Sequence, residues 1–490
     1  MTDQIILLAA IFVPTLGAFF LPLLGRLSLR TRNVCAFFMA LVSLLSSLAL
    51  VPSVLAGHFT SVSVPISPGI KATFQADGLA VFMAIVSSLV STIIVLYSTS
   101  YISHYAHQNE YYLMVVLFLG AMMGLVFSAN LLVLYVFWEI TAIASWRLIG
   151  FFREKEHVVR ADKAFLVTMF GAVAMLIGFI SLYVLTGSFD LGVIKDKLHG
   201  SAVPDLVVLL ILLGILSKSA TFPLHTWLPD AGVAPSPVTA LLHAAVLVKI
   251  GVYVFARLFV VTLPLSEFWQ AAVLATAGVS ALVSAGAALI ETDLKRIIAY
   301  STVSQIAFIF LGFASGTEIG VAGALLYILM HGLAKGGLFL CAGIVEQNTH
   351  TKDIRQLGGL IRTMPMTAMA FLFCIFSVMG IPPFGGFFSK FMVMSGAFRY
   401  AWAGTVVEGG KLWVAFTFLA GAFLTILYLL RVFNRVFLGD PGSSQAREGS
   451  KIMVACVVTL AVLSLAAGFL FNVPSELASS AVRQMLGMVP

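Results

Sequence analysis

Residues Ser217–Gly251 read SKSATFPLHTWLPDAGVAPSPVTALLHAAVLVKIG. This stretch sets two lysines, two histidines and four prolines inside sequence that is otherwise apolar enough to cross a membrane. Pro223, Pro229, Pro235 and Pro237 interrupt any helix running through it. In lipid every backbone donor and acceptor needs a partner, so a broken helix is tolerable only where protein or a wet cavity covers it. Lys218 and Lys249 are costly if bare in hydrocarbon, and an intramembrane ionisable residue reads by default as part of an ion or proton path.

The surrounding chain fits that setting. It has 490 residues, 60% hydrophobic and 10% charged, against roughly 25% charged in soluble domains. A span takes about 20 apolar residues, so spans and short loops account for the length and no sizeable soluble domain remains. Hydropathy and helix breakers place spans near 4–24, 34–55, 79–100, 111–128, 130–152, 164–186, 205–228, 235–259, 269–290, 294–313, 319–345, 365–398, 411–433 and 452–471. The expectation is an all-α polytopic membrane protein of fourteen transmembrane helices, with the seventh and twelfth broken. Ile5–Leu24 has no basic segment before it and reads as a retained first helix, not a cleaved signal.

Sixteen of the 28 Lys and Arg residues fall in one set of alternate loops and seven, Arg257 among them, in the other. The positive-inside rule then places the protein in the cell's inner membrane with both termini outside. The net charge of +7 belongs to those loops, and nucleic-acid binding gains no support. Cys35, Cys341, Cys374 and Cys456 stand singly in apolar segments, which gives neither a disulfide framework nor a metal site. With no Gly-rich phosphate loop, paired His/Cys cluster or nucleophile motif, no cofactor and no metal are expected.

Five basic residues, Arg147, Lys218, Lys249, Lys335 and Lys390, remain inside spans. The twelfth span carries GIPPFGGFFSK, from Gly380 to Lys390, a second interruption like the first. Pro223 and Pro383 lie 160 residues apart, which points to an internal repeat of five helices. Two such repeats in series have opposite topology, and broken helices at matching places mark a transport site. The resulting division is 1–110 for helices 1–3, 111–260 and 261–435 for the two repeats, and 436–490 for helix 14 and the tail. Pro and Gly are also common in membrane helices generally, which is the plainer explanation of the two breaks.

Glu139, in LYVFWEITAIASWR, is the one acidic residue near the middle of a span. A buried carboxylate takes up a proton or finds a cation, and Lys218 and Lys249 are the candidates. A Glu–Lys pair can act as a switch: closed, both groups stay charged; open, desolvation encourages the lysine to release its proton. A static ion pair stapling two helices is the alternative. Lys218, Lys249, Lys335 and Lys390 then form a file of ammonium groups, with His225, His243 and His331 as secondary relays able to bridge the gaps. Each histidine is equally readable as a satisfied core group. His331 and Lys335 are spaced i, i+4 on one helix face. Asp230 reads as a cap for the eighth helix or as serving another structural role, with gathering protons at an entry the alternative; Glu291, Asp293, Lys295 and Arg296 read mainly as a solvated turn, although a path mouth needs similar charges.

DGLAVF from Asp77, Trp138–Glu139, the long central motif from Ser217, DLKRIIAYSTVSQIAF from Asp293, HGLAKGGLFLCAG from His331 and GIPPFGGFFSKF from Gly380 together resemble one family. It comprises the proton-translocating antiporter-like subunits of respiratory complex I, Mrp-type cation/proton antiporters and group 4 membrane-bound hydrogenases. The resemblance implies a fourteen-helix core with two inverted five-helix repeats. It makes Glu139 the fifth-helix glutamate, Lys218 its pairing lysine, Lys249 the central lysine and Lys390 the terminal charge. His243, His331 and Lys335 fall on the central hydrophilic axis. Arg147 departs from the family, whose relatives carry an apolar residue there. The chain also ends without the long lateral helix of the most distal complex I subunit, which favours the hydrogenase and Mrp types.

The expected function is a subunit translocating protons or sodium ions through this Glu/Lys/His relay. Redox chemistry, or cation exchange, would be supplied by partner membrane subunits. The rivals are a stand-alone secondary cation or solute transporter and a structural scaffold with static ion pairs.

Overall fold

Apolar runs that must satisfy their own backbone inside a bilayer have the helix as their simplest solution, and helices make up nearly all of this chain. The computed structural model describes residues 2–67, 70–402, 411–440 and 446–488. Its helices are α1 Thr2–Leu27, α2 Leu29–Leu55, α3 Gly78–His104, α4 Gln108–Phe127, α5 Leu131–Ile149, α6 Lys155–Thr186, α7 Asp205–Lys218 and α8 Ser236–Thr262. They continue with α9 Glu267–Ile290, α10 Leu294–Ala314, α11 Glu318–Thr349, α12 Pro365–Met379, α13 Gly385–Ala401, α14 Trp413–Phe437, α15 Lys451–Phe469 and α16 Asn472–Met485. Among the described residues twelve of these are long and apolar enough to span a membrane. The four exceptions are the C-terminal α16 and the arms of the interrupted spans, α7, α12 and α13: α7 stops at Lys218 and the chain resumes as the short helix Trp227–Asp230, while α12 and α13 flank the turn after Gly380.

Burial sorts the helices. α8, α10 and α11 are enclosed almost throughout, whereas α1, α2, α14 and α15 ring them and turn Phe19, Phe38, Phe416, Phe423 and Val462 outward. Apolar side chains facing outward are what a bilayer-facing surface requires. This is a multi-span membrane protein.

One departure from the all-helical expectation is a hairpin, β1 Thr60–Ser67 and β2 Ile70–Ala76, paired antiparallel with Thr60 opposite Ala76. It is tied to the turn between α4 and α5, where Ala129 N–H donates to the Thr73 carbonyl at 2.8 Å and Asn130 Nδ2 donates to the Lys71 carbonyl at 3.1 Å. The hairpin therefore lids one face of the helix bundle.

A second finding is a repeated local design. α6 and α11 are both 32 residues long and start 163 residues apart (318 − 155). Each ends on a left-handed residue, Gly187 and His350. Thr186 Oγ1 donates to the carbonyls of Leu182 and Ser188, and Thr349 Oγ1 to those of Val345 and Thr351. A two-bond bridge follows in each half: Leu131 N–H to Phe189 O and Leu191 N–H to Ala129 O in one, Leu294 N–H to Lys352 O and Ile354 N–H to Thr292 O in the other. Asn130 and Asp293 cap the next helices by accepting backbone N–H groups. Every one of these pairs keeps the same spacing.

Candidate functional site

The interrupted spans create the places where charge can sit. α7 ends on Lys218 itself, and α12 ends next to Val378, whose carbonyl accepts from Lys390 Nζ at 2.6 Å. A helix C-terminus has orphan carbonyls and a partial negative charge, and Lys390 Nζ rests on one such carbonyl at the end of α12, whereas Lys218, itself the last residue of α7, reaches the Trp138 carbonyl inside α5. Lys390 also lies over the rings of Phe308 and Tyr327, at 5.1 and 5.4 Å.

α8 is irregular where it meets the chemistry. Leu241–Ala245 is π-helical, and Val246 (φ −129°, ψ −74°) breaks the ladder before α-helix resumes at Leu247. The irregularity separates His243 from Lys249. Such single-turn bulges inside helices concentrate at functional sites. Lys249 Nζ donates to the Ile328 carbonyl at 2.9 Å. Gly332 makes this possible, because a Cβ there would stand 2.6 Å from that nitrogen.

Lys218, Lys249 and Lys335 are fully buried and Lys390 is 5% exposed. Among the described residues no carboxylate pairs with any of them; all four ammonium groups rest on backbone carbonyls or a hydroxyl. An ammonium has three donors, and in this setting most of them are unsupported by protein. Buried His243 and His331 are in the same state, with neither ring nitrogen of either one meeting a partner among the described residues. Water, or a proton exchanged with a neighbour, is what such groups require.

The structure brings the predicted residues together in parts. His331 and Lys335 lie along α11; the His243 ring lies 4.4 Å from Phe339 of that helix, and Lys249 reaches it at Ile328. Lys335 Nζ donates to Ile298 O at 3.1 Å and to Ser301 Oγ at 2.6 Å. Sequence reasoning missed the polar network beyond Ser301. Tyr428 Oη donates to Ser301 Oγ at 2.8 Å, Gln305 Nε2 to Thr425 Oγ1 at 3.1 Å, and Tyr327 Oη to Gln305 Oε1 at 2.5 Å. With Gln305 and Tyr428 also 3.5 Å apart, this network joins Lys335 to the ring over which Lys390 sits.

Lys218 stands with Glu139, though not in a closed pair. Its ammonium donates to the Trp138 carbonyl at 3.3 Å and lies 5.1 Å from the Trp138 ring. Among the described residues Glu139 Oε1 has no hydrogen-bond partner. His225 is apart from the buried lysines, half-buried in the break with its ring 5.6 Å from that of Phe222.

Several loop assignments need correction. Arg257, counted above with the loops, is buried in α8 and bound to Asp77. Lys295 is buried as well and pairs with Glu346 at 2.9 Å. Asp230 takes a structural role other than capping: it bridges Lys163 at 2.7 Å and Arg296 at 2.6 Å, and Arg296 also holds Glu291. Burial alone would raise the Asp230 carboxyl, but hydrogen bonds from Lys163 and Arg296 hold it below the usual carboxylate range. The expected solvated turn is thus a cross-linked one. Arg147 and Arg153 share Glu110.

Two pockets open at opposite ends of this core. One, of about 570 Å³, is lined by Tyr101, His104, Lys295, Glu346 and His350. The other, of about 370 Å³, is lined by Gln75, Asp77, Lys195, Arg257 and Gln484.

Comparison with known proteins agrees with this architecture. Residues 128–417 match the family model described as NADH:quinone oxidoreductase/Mrp antiporter, TM, and residues 66–112 match that of the NADH-ubiquinone oxidoreductase (complex I) chain 5 N-terminus. The A subunit of the Na(+)/H(+) antiporter of Alkalihalophilus pseudofirmus is 38% identical over 434 residues, covering 83% of this chain and 53% of that protein. NAD(P)H-quinone oxidoreductase chain 5 of Synechocystis sp. is 33% identical, over 77% of this chain and 56% of its own length. The chain therefore spans about half the length of these curated relatives. A protein in the structure of the Mrp complex from Dietzia sp. superposes with a TM-score of 0.87 at 22% identity, over 99% of this chain and 98% of its own, which establishes the likeness of fold. With more than half of its residues inside the first model, the chain belongs to the NADH:quinone oxidoreductase/Mrp antiporter membrane family.

Proposed function

We propose that this chain is the ion-conducting, antiporter-like subunit of a larger complex in the inner membrane, passing protons or sodium ions along Lys218, Lys249, Lys335 and Lys390. The observation that carries the reading is four buried lysines with no carboxylate partner among the described residues. A scaffold would have little use for them. Burying an ammonium without a counter-ion is expensive, and lysine, unlike arginine, can shed its charge when buried. His243 and His331 are the secondary relays, and the chain Ser301–Tyr428–Gln305–Tyr327 connects Lys335 to Lys390. His225, at the first break, is a more distant relay.

The geometry at Glu139 supports a switch caught open. Lys218 is bound to the carbonyl of Trp138, the residue before Glu139, so closing the pair needs only a rearrangement of two side chains. A signal from a neighbouring protein of the complex that closes or opens it changes the charge felt by Lys249. The matched local designs at constant spacing support the division into 1–110, the two repeats 111–260 and 261–435, and 436–490. Five spans in each repeat give the two halves opposite topology. The face carrying the hairpin is the less basic one and is assigned to the outside.

Of the parent complexes, a cation/proton antiporter fits best, since the Alkalihalophilus relative belongs to a Na(+)/H(+) antiporter. The test is Lys249→Ala in the parent complex reconstituted in proteoliposomes. Cation-driven proton movement should vanish while the complex assembles as before; unchanged flux contradicts the relay. Replacing sodium by choline separates the ions, because a proton-only path does not respond.

A further inference from the structure

The Asp77–Arg257 pair lies outside the lysine file. Lys249, Tyr253 and Arg257 occupy successive turns of α8 at i, i+4 and i+8, so they stack along one face. Arg257 is 7% exposed and grips both oxygens of Asp77, with Nη2 at 2.8 Å from Oδ1 and Nη1 on Oδ2. Its Nε and Nη2 also donate to Tyr253 Oη, at 3.1 and 2.9 Å. Tyr253 Oη in turn donates to the Val126 carbonyl at the end of α4. Asp77 is fixed as the cap of α3, accepting from Ala80 N–H at 2.9 Å. Gln484 of α16 binds the adjoining Gly78 N–H at 2.8 Å. Above the pair opens the 370 Å³ pocket on the hairpin face, with Asp77 and Arg257 in its lining. α8 is π-helical from Ala256 to Thr262, at the pocket wall.

We propose that Asp77, Arg257 and Tyr253 form a gate between Lys249 and the pocket on the less basic face, with the guanidinium as barrier and the carboxylate as its latch. This inference rests on the relay reading of Lys249. A guanidinium keeps its charge under all ordinary conditions, so at a narrow throat it repels cations and protons returning toward Lys249. Its position is set by a bidentate carboxylate, the geometry arginine holds best. Release of the latch moves the positive charge aside and opens Lys249 to the pocket. Neither a lysine nor a histidine could do this, because each would join the relay by titrating.

The experiment measures passive proton leak in proteoliposomes of the parent complex, under an imposed potassium diffusion potential and without the driving cation. Arg257→Gln should raise the leak about tenfold or more, and adding Lys249→Ala to it should return the leak to the wild-type level. A tight Arg257→Gln complex overturns the gate, as does a leak that persists in the double variant. The charge swap Asp77→Arg with Arg257→Asp restores an ion pair and separates stapling from gating. The gate predicts an assembled but leaky complex; a tight, fully transporting one makes the pair a staple and overturns it. Failure of both variants to assemble likewise assigns the pair to folding and overturns the gate. Driven transport by Lys249→Ala alone reports on the relay independently, so the two ideas fail separately.

Discussion

α6 and α11 share a length, a left-handed terminus, a threonine that bonds back into its last turn and a two-bond bridge to the same neighbouring turn. Their surroundings differ. α6 turns Leu166, Phe170, Val173, Ile177 and Val184 outward, while α11 is enclosed almost throughout. At the positions where α11 carries His331 and Lys335, α6 carries Thr168 and Ala172. Thr168 satisfies its hydroxyl on the Ala164 and Phe165 carbonyls, so it has nothing to exchange. The lesson is that backbone design sets where a helix stands, and enclosure decides whether ionisable groups are held in its middle; the charges of α6 all lie in its first turns, from Lys155 to Lys163. A lysine on an outward helix would simply reach the interface; on α11 it has nowhere to go.

That contrast can be pressed at matching positions. Among substitutions outside the lysines the largest effect should come from Glu139, whose counterpart 163 residues later is Thr302. Glu139→Gln should cut coupled proton flux about 100-fold, the scale of losing a positioned proton-transfer group, while Thr302→Val stays near wild type. Equal losses at both would erase the distinction between the halves. Packing is probed at two glycines that are not counterparts in the repeat but each seat a neighbouring helix. A Cβ on Gly171 would stand 2.8 Å from the Leu213 carbonyl of α7, and one on Gly323 2.7 Å from the Val393 nitrogen of α13. Gly171→Val and Gly323→Val should each cost about 1–3 kcal/mol, seen as similar drops in melting temperature of the detergent-solubilised complex.

Smaller effects probe the links. Tyr428→Phe removes one hydrogen bond to Ser301 and should slow flux about fivefold to tenfold, the worth of one such bond; no change would leave Lys335 and Lys390 unconnected by this route. Smallest of all is Asp230→Asn, which loosens a half-buried bridge by about 1 kcal/mol. Because the folded carboxyl titrates below its ordinary value, its contribution is complete above about pH 4 and is lost as pH falls through the folded value. A thermal-shift series from pH 6 downward checks the sign: the wild type should lose its margin over Asp230→Asn as acid is added.

Spans, breaks and the burial of the four lysines were legible in the sequence because each rests on local signals: hydropathy, prolines, and charges with no loop to occupy. The hairpin was legible too, in the alternation of Val62, Val64 and Ile66 with Ser61, Ser63 and Pro65, but a short alternating stretch between two strong spans reads easily as a loop. The π-helical turn at Leu241–Ala245 has no comparable signature, since it depends on how neighbouring helices seat His243 and Lys249. Nor did Arg257 declare its partner: Asp77 is 180 residues away, and a basic residue near a span end looks like an interfacial anchor. Long-range pairing is set by packing, and one-dimensional patterns carry little of it. The Ser301–Tyr428–Gln305 network was hidden for the same reason.

The most direct measurement compares two reconstituted variants in one assay, Lys335→Ala on α11 and Thr168→Ala on α6, by cation-driven proton uptake into proteoliposomes of the parent complex. The account predicts background uptake for Lys335→Ala and near-wild-type uptake for Thr168→Ala. Wild-type uptake by an assembled Lys335→Ala complex would contradict it.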